Sequence, residues 1–73
     1  MPYVNIKITQ EGGPDNNGAT QQQIADVIQG VTLVLQKVLN KDPSTTFVVV
    51  DEVPLNNWGI GGMPVVDYRE SMT

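Results

Sequence analysis

Phe47-Val48-Val49-Val50 places four apolar residues in a row. On a β-strand neighbouring side chains point to opposite faces, so both faces of this segment need cover, as in a parallel sheet. The run continues through Asp51-Glu52-Val53 and reads as a strand over 46–53. A chain of 73 residues has little with which to cover two faces. Chains of this size bury only about 60% of their unfolded surface, and most need a disulfide, a metal or a partner chain as a staple. This sequence has no cysteine and no histidine, so disulfides and imidazole or thiolate metal sites are excluded. Self-association is the staple that remains.

The other elements follow from periodicity. Val4, Ile6 and Ile8 alternate with Tyr3, Asn5, Lys7 and Thr9, which marks a strand over 2–9 with one side buried. Pro2 is tolerated at its head because the first residue of a strand can do without a ladder donor. Residues 10–19 (QEGGPDNNGA) are turn formers and read as a loop. Thr20-Gln21-Gln22-Gln23 matches a capping box. Ile24, Val27, Ile28, Val31, Val34, Leu35 and Val38 then recur at spacings of three and four, predicting a helix over 20–40 with Asn40 as its C-cap and Pro43 beyond. Strand, helix and strand make a right-handed β-α-β unit in one domain, 1–73. One helix covers one face of two strands, so the other face and the sheet edges call for a symmetric oligomer, most simply a dimer joining two sheets into one.

Asp51 and Glu52 are neighbours on a strand and point apart, so they are not an acid–base dyad. In the tail, 56–70, Gly59-Ile60-Gly61-Gly62 follows no βα turn and opens no helix, so a turn or small hairpin is a better reading than a phosphate loop. Trp58, the sole tryptophan, reads as an interface or core anchor that can also wall a pocket.

Net charge is −4, with Lys7, Lys37, Lys41 and Arg69 the only cations. No basic stripe exists for nucleic acid, and no apolar run reaches the roughly 20 residues of a membrane span. The amino-terminal residues lack the layout of a signal peptide, so a cytoplasmic location is expected.

Without histidine no Ser–His triad can form. One unusual base is left. If Met1 is removed, the Pro2 nitrogen becomes a secondary amine. Model α-amino groups titrate near 7.7–8.0, so at pH 7.4 about a fifth are neutral, and a pKa one unit lower raises that to roughly 70%. Burial against apolar side chains drives such a shift. A neutral, fixed amine can take a proton from carbon beside a carbonyl and return it elsewhere, which is keto–enol tautomerisation without a cofactor. With Met1 in place the same atom is an amide and has no basicity.

Met-Pro-Tyr-Val-Asn-Ile-Lys-Ile, the capped helix, Thr-Phe-Val-Val-Val-Asp-Glu-Val and Asn-Trp-Gly-Ile-Gly-Gly occur in this order and spacing. From residue 2 to about residue 69 the chain resembles the 4-oxalocrotonate tautomerase family. The resemblance implies an α+β fold: a β-α-β protomer with a two-stranded parallel sheet, one long helix and a C-terminal hairpin. It also implies dimers with a four-stranded sheet, and a homohexamer built as a trimer of dimers. It implies Pro2 as catalytic base, moving a proton between carbons of a 2-hydroxymuconate-like dienol acid in aromatic degradation. Trp58 then corresponds to the aromatic residue lining the apolar end of the substrate pocket.

The resemblance fails at two places. The family's arginine shortly after the first strand is replaced by Glu11-Gly12-Gly13-Pro14, within an apparent insertion. Its arginine early in the second strand is replaced by Thr46-Phe47-Val48. Charge-assisted pairs to carboxylates are the strong hydrogen bonds, so dicarboxylate recognition is expected to suffer. Lys7, Lys37 or Arg69 from a neighbouring subunit are the available substitutes. The leading expectation is an isomerase acting on an enolisable 2-oxo acid, and the alternative is a catalytically silent oligomeric scaffold or binding module of the same fold.

Overall fold

The computed structural model describes residues 1–72; Thr73, the last residue of the expected domain, lies outside them. The order of elements is β1 (Tyr3–Thr9), α1 (Gln21–Leu39), β2 (Phe47–Val53), β3 (Gly59–Ile60), β4 (Met63–Pro64) and α2 (Val65–Ser71). Single 3-10 turns at Pro43–Thr45 and Leu55–Asn57 bracket β2. No helix among the described residues is long and apolar enough to cross a membrane.

β1 and β2 pair in parallel, with Tyr3 opposite Phe47, Ile6 opposite Val50 and Thr9 opposite Val53. This register puts Val4, Ile6, Val48 and Val50 on a half-covered face, while Tyr3, Phe47 and Val49 stand exposed on the other. The doubly apolar character of β2 is therefore real, and one of its faces is left without cover by its own chain. On that open face Asp51 accepts hydrogen bonds from Asn5 Nδ2 and Lys7 Nζ, both at 2.9 Å. Glu52 points the other way and accepts the Ala19 N–H at 3.0 Å. The two neighbouring carboxylates thus serve opposite faces.

α1 begins where its capping chemistry places it. The Gln23 N–H donates to Thr20 Oγ1 at 3.1 Å, and the Thr20 N–H donates to Gln23 Oε1 at 2.9 Å. It ends at Asn40, whose φ of 56° is left-handed and sends the chain away from the helix axis. The helix lies chiefly against β2. Ile24, Val31 and Leu35 are half-buried; Val27, Val34 and Val38 form an apolar shoulder open to solvent.

The tail is a hairpin followed by a helix. Gly61 and Gly62 both take positive φ, 61° and 81°, as a two-residue hairpin turn requires, and Ile60 pairs with Met63 across it. The sequence reading places the hairpin but not α2, which folds back so that the Tyr68 ring packs over Gly61. The Val65 N–H donates to the Trp58 carbonyl at 2.7 Å and fastens the helix to the hairpin.

The tail packs chiefly upon itself, and the protomer measures 46 × 27 × 17 Å. Its radius of gyration is 15.5 Å, against about 11 Å for a compact chain of this length. Among the described residues Val65, 7% exposed, is the one buried apolar side chain. The shortage of core foreseen from length and patterning is a property of the folded protomer.

Candidate active site

Pro2 stands one residue ahead of β1, half-buried, and its carbonyl accepts the Phe47 N–H at 2.9 Å. That bond continues the parallel ladder one residue ahead of β1 and fixes the residue's position although proline donates nothing. By the period of two, Pro2 shares the half-covered face with Val4 and Ile6.

Trp58 is half-buried at the junction of the second 3-10 turn and β3, and its N–H donates to the Leu55 carbonyl at 3.2 Å. Within one protomer the two candidates belong to separate bodies: Pro2 to the sheet and Trp58 to the tail. An open hollow of about 400 Å3 lies along residues 56–64, and neither Pro2 nor Trp58 is among the residues lining it. No group of three acidic residues that could hold a metal comes together among the described residues.

The candidate cations are placed as follows. Lys7 is committed to Asp51 on the open face of the sheet, at 2.9 Å. The Asn5 amide and then the Lys7 ammonium hold the Asp51 carboxyl below its usual range. Lys37 lies in the last turn of α1, where a cation favours the negative end of the helix dipole.

Arg69, on α2, forms a two-pronged pair with Glu11: Nη1 to Oε1 at 2.8 Å and Nη2 to Oε2 at 3.0 Å. The Thr9 hydroxyl donates to the same carboxylate. Its hydrogen bonds from Arg69 and then Thr9 pull the Glu11 carboxyl down to about 2. Position 11 carries an acid where the resemblance leads one to expect a cation, and the tail supplies a guanidinium beside it. Sequence reading had Arg69 as a candidate but not its partner, because the residues lie 58 positions apart.

A parallel β-α-β protomer with a strand-heading proline, a glycine hairpin and a short C-terminal helix sets out a small α+β class of fold with little core of its own. Residues 2–68 match the family described as tautomerase enzyme. The chain belongs to the tautomerase family. It is 46% identical over 70 residues to probable tautomerase K2 of Dickeya dadantii (strain 3937), covering 96% of both chains. A probable tautomerase of Helicobacter pylori (strain ATCC 700392 / 26695) is 41% identical, over 96% of this chain and 97% of the relative. Among solved structures, DmpI from Helicobacter pylori superposes with a TM-score of 0.79 at 40% identity, covering 94% of this chain and 97% of that one. A 4-oxalocrotonate tautomerase isozyme from Methylibium petroleiphilum gives 0.69 at 29% identity, covering 89% and 94%. These likenesses bear out the expected fold and point to an isomerase function.

Proposed function

We propose that the protein is a cofactor-independent keto–enol tautomerase acting on enolisable 2-oxo acids, 2-hydroxymuconate-like dienols among them, with Pro2 as general base once Met1 is removed. The observation that carries this reading is the place of Pro2, half-buried and tethered by its own carbonyl at the head of β1.

In the keto direction of approach, the neutral amine accepts a proton from the carbon beside the carbonyl. The bonding pair moves into the enol system and negative charge collects on oxygen. The ammonium then returns its proton to a different carbon or to that oxygen, so no atom is gained or lost. Trp58, brought by the tail of a neighbouring protomer, walls the apolar end of the pocket. The enzyme works as an oligomer built on sheet-joined dimers. A hexamer is the favoured form, since a structurally similar tautomerase from Chloroflexus aurantiacus is a heterohexamer. The cytoplasm is the proposed location.

The test compares chains synthesised with and without Met1, following the ultraviolet decay of 2-hydroxymuconate and of the enol of phenylpyruvate. Conversion by the chain that begins at Pro2, and loss of most of it when Met1 caps the nitrogen, is expected. Equal rates would remove the amine from the mechanism. No conversion by either chain would favour the silent scaffold, a reading supported by the engagement of Lys7 and Arg69 with acidic partners.

A further inference from the structure

A 2-oxo acid substrate carries a carboxylate, and a site that binds it needs a cation near the base. Of the four cations in the chain, Lys7 is held in the middle of the open sheet face, and Lys37 and Lys41, at the C-terminal end of α1, are single ammonium groups that meet a carboxylate at one point. Arg69 alone has the planar fork that matches a carboxylate in two-pronged fashion. That fork is already arranged around one, the side chain of Glu11, and the pair stands partly open to solvent, with 55% and 32% of the two side chains exposed.

Within its own chain the pair is too far from Pro2 to matter. It lies beyond the C-terminal end of β1, and the seven residues of that strand span more than about 20 Å. A dimer changes this. A two-fold axis that joins two sheets edge to edge reverses the strand direction across the joint. Both strands have an unpaired outer edge, and the joint is placed along β1, the strand with less cover from α1. With the middle of β1 at the axis, Pro2 of one chain faces the end of the other chain's first strand. The Glu11–Arg69 pair of that second chain then stands at its side.

We infer that Arg69 of one protomer is the substrate-carboxylate anchor for Pro2 of its partner, and that Glu11 holds the guanidinium in place and yields it to the incoming carboxylate. The inference rests on the tautomerase reading given above. The exchange is of one carboxylate for another around an unchanged cation. Glu11 keeps its hydrogen bond from Thr9 and turns to solvent, with Gly12 and Gly13, both at positive φ, directly behind it. The role belongs to binding: Arg69 sets KM, and Glu11 acts through Arg69 as a competitor and positioning residue.

The variants Arg69→Gln and Glu11→Gln separate this role from a structural one, because each breaks the same ion pair. Steady-state rates are measured with the enol of phenylpyruvate and with the enol of its methyl ester. Arg69→Gln is expected to raise KM for the acid roughly ten- to a hundredfold, the range for loss of a hydrogen-bonded charge pair, and to leave the ester unaffected. Glu11→Gln is expected to lower KM for the acid. If both variants shift KM in the same direction, or if the ester responds as the acid does, the pair is a structural clip and the inference fails.

Subunit mixing tests the placement across chains. Chains with Met1 retained are co-refolded with Arg69→Gln chains that begin at Pro2. If base and anchor come from different protomers, each mixed dimer holds one intact site, and random mixing restores about a quarter of the wild-type sites. If they come from one protomer, mixing restores nothing and the placement is overturned. A wild-type chain with no activity on either compound would instead overturn the tautomerase reading itself.

Discussion

The carboxylate of Glu52 occupies the space in which a side chain on Gly18 would begin. A methyl group at Gly18 would overlap Glu52 Oε2, and the same oxygen accepts the Ala19 N–H at 3.0 Å. Gly18 is buried and has a φ of 104°, a conformation that penalises any side chain. A β2 residue thereby latches the end of the 10–19 loop just ahead of the α1 cap. The segment read as a loop from its turn formers has a fixed exit.

Gly18→Ala is accordingly expected to destabilise the protein by about 1–3 kcal/mol, through the strained backbone and the displaced Glu52. Thermal unfolding checks it. A Gly30→Ala variant is the comparison, because nothing lies within 4 Å of its Cβ position and helix propensity favours alanine there. A loss at Gly30 as large as that at Gly18 would show that the latch is not the cause.

Thr20→Ala removes one half of the capping box and is expected to cost about 1 kcal/mol. Thr20→Asn, which keeps an acceptor for the Gln23 N–H, is expected to recover most of it. Denaturant melts of the three proteins decide the matter.

The Glu11 pair predicts a pH dependence of definite sign. Its carboxyl titrates at about 2 in the folded chain against an ordinary 4.5, so below the ordinary value the unfolded chain binds more protons. The stabilisation is complete above about 4.5 and is lost as pH falls toward 2. Asp51 and Asp42, both lowered by hydrogen bonds, act in the same direction. Melting temperatures followed from pH 6 to pH 2 are expected to fall less steeply for Glu11→Gln than for wild type. Identical slopes would show that the ion pair does not form in solution.

The open sheet face carries Phe47, 54% exposed, beside Tyr3 and Val49. If this surface is covered by other copies, the melting temperature rises with protein concentration. Val49→Lys is expected to lower both the midpoint and the sedimenting mass. A midpoint independent of concentration over a hundredfold range would contradict the proposed assembly.

What could be read from residues was the part written in local pattern. Val4 and Ile6 take the half-covered face as their alternation suggests, although Ile8 at the strand's end stands exposed; Thr20 and Gln23 form the box that their spacing suggests, and Gly61-Gly62 turns the hairpin that its composition suggests. α2 escaped because Val65–Ser71 is seven residues long, too short for an apolar stripe to repeat. Its signals were faint: Pro64 immediately before it, Asp67 in the first turn and Arg69 toward the end. Glu11 had no signal. Its meaning comes from Arg69, and only the path of the tail brings the two together. The uncovered face of β2 was foreseeable from Phe47 to Val50 alone, whereas what covers it is not encoded in any one segment.

Among the described residues a lone valine is sealed from solvent, so in the proposed assembly most of the interior is made between chains. Maturation of such an assembly is a second-order event, governed by how often newly made copies meet. Halving the concentration of unassembled chains would slow such assembly by more than half, so dilution alone would act against the assembled form.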